Sequence, residues 1–230
     1  MDWKKNLIQY PPKEWETLIH DLEEDLNEID EILNEEKKQM GLFEPDPNYL
    51  FRCYYLTPLS KVKIVFVTYE PIKGTVYGTF ETKSQGLGPS VRKDDLIPIG
   101  TQNMYKELER TIEGFQKPFH GDLSSWAYRG IFFLTMALSV CPNRKNGDHT
   151  KLWAIVIRKT CELIINKNKN VIFILNGKET THIRNYLTSR TLVIETPSIQ
   201  SQKFIGCNVF TQINNLLKDK NEPEFQWQIE

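Results

Sequence analysis

Apolar residues recur along this chain in two distinct periods. Between residues 13 and 38, Trp15, Leu18, Ile19, Leu22, Leu26, Ile29 and Leu33 stand three and four apart, forming the single apolar stripe of one helix. Pro11 and Pro12 mark its start; Gly41, followed by Pro45 and Pro47, marks its end. Largely apolar runs rich in β-branched and aromatic residues follow at 61–67, 131–134, 171–175 and 191–194, and each predicts a buried strand. Helical patterns occupy the intervals at 101–112, 150–166 and 178–188, and again at 207–218. Strands alternating with helices predict an α/β fold: a central four-stranded parallel sheet with helices on both faces. Neither a repeat nor a low-complexity linker interrupts the pattern, so residues 1–230 are expected to form a single domain. The stretch 72–100, rich in Gly and Pro, reads as one long loop, and such loops in compact domains are commonly functional.

Charge changes this picture more than composition does. The 40% hydrophobic and 11% aromatic content suits a folded globular chain. The net charge is only -1, but residues 1–50 carry 14 Asp/Glu against 5 Lys/Arg, a balance of -9. The remaining 16 acidic and 24 basic residues give +8 over residues 51–230, a surplus that could meet phosphate. If it does, the acidic helix 13–38 should lie away from that surface, where it would otherwise repel phosphate; it is then a candidate docking face for a protein partner. No apolar run approaches the roughly 18 residues of a membrane span, and no apolar segment follows the N-terminal Lys4-Lys5, so neither a membrane nor a secretory route is expected. Cys53, Cys141, Cys161 and Cys207 lack metal-ligand spacing, which predicts reduced, buried thiols in a nuclear or cytoplasmic protein, with no metal and no cofactor.

Ligands of open parallel sheets bind beyond the carboxyl ends of the strands. Those ends are expected at Thr68–Lys73, Thr135–Met136, Asn176–Gly177 and Glu195–Ser198. They offer the carboxylates Glu70 and Glu195, the hydroxyls Thr135, Thr196 and Ser198, the amine of Lys73 and the amide of Asn176. A strand-end glutamate can serve as a general base or as a cap. No histidine, nucleophilic triad or phosphate-binding glycine loop is present there.

The blocks Pro58–Val65, Asn103–Leu108, Gly114–Leu134, Gly206–Asn214 and Phe225–Trp227, in this order and spacing, resemble family-1 uracil-DNA glycosylases from about residue 50 onward. The resemblance implies that family's three-layer α/β fold. It also implies a site whose loops map residue by residue. The family's water-activating Gly-Gln-Asp-Pro-Tyr-His-Gly is matched by Thr68-Tyr69-Glu70-Pro71-Ile72-Lys73-Gly74. Glu70 thus stands for the catalytic aspartate, and Ile72 for the tyrosine that excludes a thymine methyl. Pro89 takes the place of the stacking phenylalanine, unless Phe80 in an inserted stretch replaces it. Thr135 stands for the asparagine that reads uracil. In Thr196-Pro197-Ser198-Ile199-Gln200-Ser201, Thr196 stands for the histidine that holds the departing base and Gln200 for the intercalating leucine. By the same resemblance Ser90, Thr101, His149, Pro197, Ser198, Gln200, Ser201 and Lys203 are DNA-contact candidates.

Each substitution weakens a known term. One donor aimed at a developing anion is worth about 10²–10³ in rate, a threonine hydroxyl reads one edge position where an amide reads two, and an aromatic platform adds about 1–3 kcal/mol of stacking. Taken together they predict a non-catalytic member of the fold that binds DNA or scaffolds replication or repair proteins. An active glycosylase with altered base specificity, suited to a 5-substituted pyrimidine, and a pure protein-interaction module are the rivals. A closed pocket at Glu70, Pro89 and Thr135 would exclude the enzyme.

Overall fold

The computed structural model describes residues 3–40, 43–76, 78–79, 81–141 and 148–230. Its sheet is built from β1 (Ile64–Thr68), β2 (Ile131–Thr135), β3 (Ile172–Asn176) and β4 (Leu192–Thr196), in the order β2-β1-β3-β4 and parallel throughout. Every residue of β1, β2 and β3 is buried, which is why these strands are continuous apolar runs rather than alternating ones. Alternation appears only at the edge strand β4, where Ile194 is buried and Glu195 exposed. The register aligns the strand ends: Thr68 opposite Thr135, and Asn176 opposite Thr196.

Successive phenylalanines of β2 point to opposite faces of the sheet. On the face of Phe132 pack Trp15 and Tyr54, each with its ring centroid 5.0 Å away. This layer holds α1 (Trp3–Gln9), α2 (Glu16–Asp21), α3 (Glu23–Met40), α4 (Arg52–Leu56), α7 (Asp148–Leu152) and α8 (Ala154–Lys167). Tyr54 reaches α8 through its hydroxyl, 2.9 Å from Thr160 Oγ1. On the face of Phe133 lie α5 (Ile99–Thr111) and α9 (Val209–Asp219), beside the short α6 (Ser124–Tyr128). The C-terminal segment closes this side: Trp126 Nε1 donates to Trp227 O at 2.9 Å, and Trp227 Nε1 to Asn214 Oδ1 at 3.1 Å.

Several expected elements need correction. The predicted helix 13–38 is two helices, α2 and α3, meeting at Leu22, and a further helix, α1, precedes them. Residue periodicity survives the break because Leu26 N still donates to Leu22 O at 2.8 Å, so all seven stripe residues stay buried. The predicted helix 150–166 likewise splits into α7 and α8 around Trp153. The 178–188 pattern forms a 3-10 helix over Lys178–Tyr186. Gly41, the expected helix stop, lies outside the described residues.

The acidic α3 is not remote from the sheet's carboxyl ends. Asp25 pairs with Lys159 of α8 at 3.2 Å, and Glu36, further along, meets His149 just beyond the β2 exit. It thus reaches the level of the strand ends at the β2 edge, on the side of the sheet away from β4. Among the described residues no helix is long and apolar enough to cross a membrane.

Candidate functional site

All four strands end on a short polar side chain that is buried: Thr68, Thr135, Asn176 and Thr196 are each between 5% and 7% exposed. Beyond the ends of β1, β3 and β4 opens a cavity of about 540 Å³. One wall is the loop after β1, with Glu70, Ile72 and Lys73; another is Gly88 and Pro89; a third is Pro98 and Ile99; and the last is Ser198–Gln200 with Glu179. The long Gly- and Pro-rich stretch therefore supplies two of the walls, as a loop role requires.

Glu70 sits in this wall with its carboxylate 3.1 Å from Lys73 Nζ; its side chain is 12% exposed and that of Lys73 29%. A partly shielded carboxylate at the mouth of a cavity can hold and deprotonate a water. Thr68 Oγ1 is buried in the same wall without a hydrogen-bond partner, an orphan that a bound polar edge would satisfy. Gly88 makes room beside it: a Cβ there would lie 3.6 Å from Thr68 Oγ1 and 3.3 Å from the Phe133 ring, at a φ of +53°. Asn176 fixes the opposite wall. Its Nδ2 donates to Thr196 Oγ1 and to Pro197 O, both at 3.1 Å, and its Oδ1 accepts from Ile199 N at 3.2 Å.

A second carboxylate supports the β1 loop from behind. Glu44 is 2% exposed, and both its oxygens accept from Gly74 N, at 2.9 and 3.1 Å. Its backbone exchanges two hydrogen bonds with Val140, tying the loops after β1 and β2 to one residue. Burial pushes the Glu44 carboxyl above its ordinary range, although the Gly74 amide and the nearby Lys73 pull the other way.

The sequence-matched positions divide cleanly. Glu70, Ile72, Pro89, Ser198 and Gln200 come together around the cavity, whereas Thr135 and Thr196 lie buried outside its lining. Phe80 lies outside the described residues. Pro197, Gln200 and Lys203 are exposed, Gln200 within the cavity lining; Ser198 and Ser201 are half-buried, each accepting from a backbone amide two residues on. Three DNA-contact candidates turn inward instead. Ser90 is fully buried and accepts from Leu123 N at 2.9 Å. Thr101, also buried, donates to Pro89 O at 2.7 Å. His149 is 3% exposed, with Ser139 Oγ at 2.8 Å from Nδ1 and Glu36 Oε2 at 2.7 Å from Nε2. Hydroxyls and rings so placed brace loops and helices and present nothing to a phosphate. Glu195, the other strand-end carboxylate, points away and pairs with Arg184 at 2.6 Å. Sequence reasoning missed Thr68, Glu44 and Ile99; only Thr68, as a strand-end hydroxyl, carried a signal.

A parallel α/β sheet with an open cavity at its carboxyl ends, a carboxylate–lysine pair in one wall and an unsatisfied hydroxyl beside it, defines a small-ligand site equipped for acid–base chemistry. Comparison with known proteins gives the family. A uracil-DNA glycosylase of Blochmanniella floridana is 32% identical over 204 residues, covering 86% of this chain and 89% of the relative. One from Aliivibrio salmonicida is 34% identical over 202 residues, covering 85% and 87%. The crystal structure of mimivirus uracil-DNA glycosylase superposes with a TM-score of 0.87 at 20% identity, over 98% of this chain and 89% of that one. No protein-family model matches the chain. The chain belongs to the uracil-DNA glycosylase family.

These relatives overturn the expectation of a non-catalytic scaffold. That expectation rested on the combined side-chain losses at the matched positions, and a closed pocket was the feature that would have excluded an enzyme. The cavity is open, Glu70 and Pro89 line it, and Thr135 is buried outside its lining.

Proposed function

We propose that this chain is a DNA glycosylase that hydrolyses the bond between a pyrimidine base and its deoxyribose. In this reading the extruded nucleotide enters the cavity beyond β1, β3 and β4. Glu70 accepts a proton from a water whose oxygen bonds to the sugar's C1′. The C1′–N bond breaks, and the base leaves with the bonding pair as an anion. Lys73, 3.1 Å away, holds the Glu70 carboxylate in place; Thr68 Oγ1 supplies a polar contact to the base edge. The observation that carries the proposal is the open cavity of about 540 Å³ with a partly shielded carboxylate in its wall, a volume within the usual range of small-molecule sites. Residues 1–230 act as one catalytic unit, with DNA as the partner. The surface offered to a protein partner is the acidic outer face of α3.

Ile72 bears on which base enters. A branched aliphatic side chain in the β1-loop wall leaves more space than an aromatic ring, so a 5-substituted pyrimidine is expected as a substrate alongside uracil. The test uses oligonucleotides carrying uracil, thymine or 5-hydroxymethyluracil, scored for abasic sites by alkaline cleavage. Release of at least one base is expected, and Glu70→Gln should lower the rate by about 10²–10⁴. No release from any of them, or an undiminished Glu70→Gln rate, would end this assignment. Release of uracil alone would remove only the widened specificity.

A further inference from the structure

Extruding a nucleotide from a duplex leaves a gap in the base stack, and proteins that unstack DNA fill such gaps with apolar side chains. If the cavity receives an extruded base, as proposed above, its rim has to carry a wedge. Gln200 occupies one part of that rim and is polar. Its amide lies against the start of α5: a Cβ added to Gly100 would fall 2.8 Å from Gln200 Nε2 and 2.9 Å from Ile199 Cγ1. The residue on the other side of this contact is Ile99, which lines the cavity and is nevertheless 52% exposed. Leu96, three residues earlier, is 76% exposed. Among the exposed large hydrophobic side chains of the described residues, Ile99 is the one that lines the cavity, where an apolar surface of the ligand can cover it.

Ile99 is also held rigidly, as a wedge must be. It is the first residue of α5. Two residues on, Thr101 Oγ1 bonds Pro89 O at 2.7 Å, and four residues on, Asn103 Nδ2 bonds Ile199 O at 2.8 Å. The first turn of the helix is thereby tied to both neighbouring walls of the cavity. Gln102 adds two bonds to the preceding loop, from N to Pro98 O at 2.9 Å and from Nε2 to Ile97 O at 2.8 Å. A β-branched side chain on such a base has little rotamer freedom left to lose.

We propose that Ile99 is the wedge: it enters the duplex at the step next to the extruded nucleotide and keeps the gap open, in place of Gln200. A wedge matters only where there is a stack to open. Ile99→Ala should therefore lower kcat/KM on a duplex substrate at least tenfold more than on the same target in single-stranded DNA. Phe119→Ala, which removes a fully exposed ring that does not line the cavity, is the control and should change neither. A second readout does not need turnover. A 2-aminopurine placed beside the target should brighten on binding wild-type protein and brighten far less with Ile99→Ala. Equal losses on duplex and single strand would make Ile99 a mere pocket wall and overturn the proposal. So would an unchanged duplex rate, an unchanged 2-aminopurine response, or a duplex-specific loss that belongs to Gln200→Ala instead. If wild-type protein brightens 2-aminopurine through Ile99 but releases no base, the wedge stands and the glycosylase assignment fails.

Discussion

Two buried carboxylates, Glu107 and Glu44, show how the same group takes opposite settings from its surroundings. Glu107 on α5 is fully buried and accepts from Arg110 Nε and Nη2 at 3.1 and 3.0 Å, Gly206 N at 2.6 Å and Asn208 N at 2.7 Å. Burial alone would raise its pKa, but the Arg110 and backbone donors outweigh it and hold it below the ordinary range. Its stabilisation is present above the ordinary carboxylate pKa and is lost as pH falls through the depressed one. Glu44 has the reverse sign: its contribution is present at low pH and lost as pH rises through the raised pKa. Glu107→Ala, which strands two backbone amides and a guanidinium, should cost about 3 kcal/mol in urea denaturation at neutral pH. In melting curves between about pH 4 and about pH 7, Glu107→Gln should lose its deficit towards acid, whereas Glu44→Gln should gain on wild type towards neutrality. Parallel shifts of the two variants with pH would contradict these assignments.

The N-terminal helices are the element whose role the fold changes most. An acidic helix read alone suggests a detachable docking arm. In the fold, the stripe from Trp15 to Leu33 is buried to within 4% of complete, Trp15 Nε1 donates to Thr57 O at 3.0 Å, and Trp15 stacks on Phe132 of the sheet. Removing residues 1–40 would uncover one face of β2 and strip α8 of its cover. The truncated chain is expected to be insoluble or to bind a hydrophobic dye without a cooperative melt. A cooperative melt like that of the full chain would show the arm to be independent. Leu26→Ala, a milder probe of the same contact, should cost about 3 kcal/mol.

Across the whole molecule, charge is segregated: -9 over residues 1–50 and +8 over the remainder. The acidic helix reaches the strand ends only at the β2 edge, while the segment after β4 that carries the exposed Pro197, Gln200 and Lys203 contributes Gln200 to the cavity lining. Duplex affinity should fall linearly against salt on logarithmic axes, and Lys203→Glu should weaken it by a similar factor on every sequence while reducing the slope by about one. A sequence-dependent loss, or an unchanged slope, would place Lys203 off the phosphate path.

How much of this was legible in the sequence follows from the range of the interactions. Strands β1 to β3, buried on both faces, must be apolar throughout, so their runs announced both the sheet and its parallel sense. The ordered blocks from Pro58 to Trp227 announced the family. The loop after β1 was legible as a site because sheet ends are where ligands bind, and Glu70 is the carboxylate that lines the cavity there. What the chain could not declare was the direction in which a polar side chain turns. Ser90, Thr101 and His149 carry donors suited to phosphate, yet each is satisfied by a partner 10 to 113 residues away and faces the interior. Glu44 and Gly74, or Gly100 and Gln200, meet only because the sheet brings distant loops to one end. Local period and residue type fix secondary structure and layer, since they depend on neighbours in the chain. Whether the pocket stayed open despite its altered side chains depended on packing between segments about a hundred residues apart, and only the folded structure decided it.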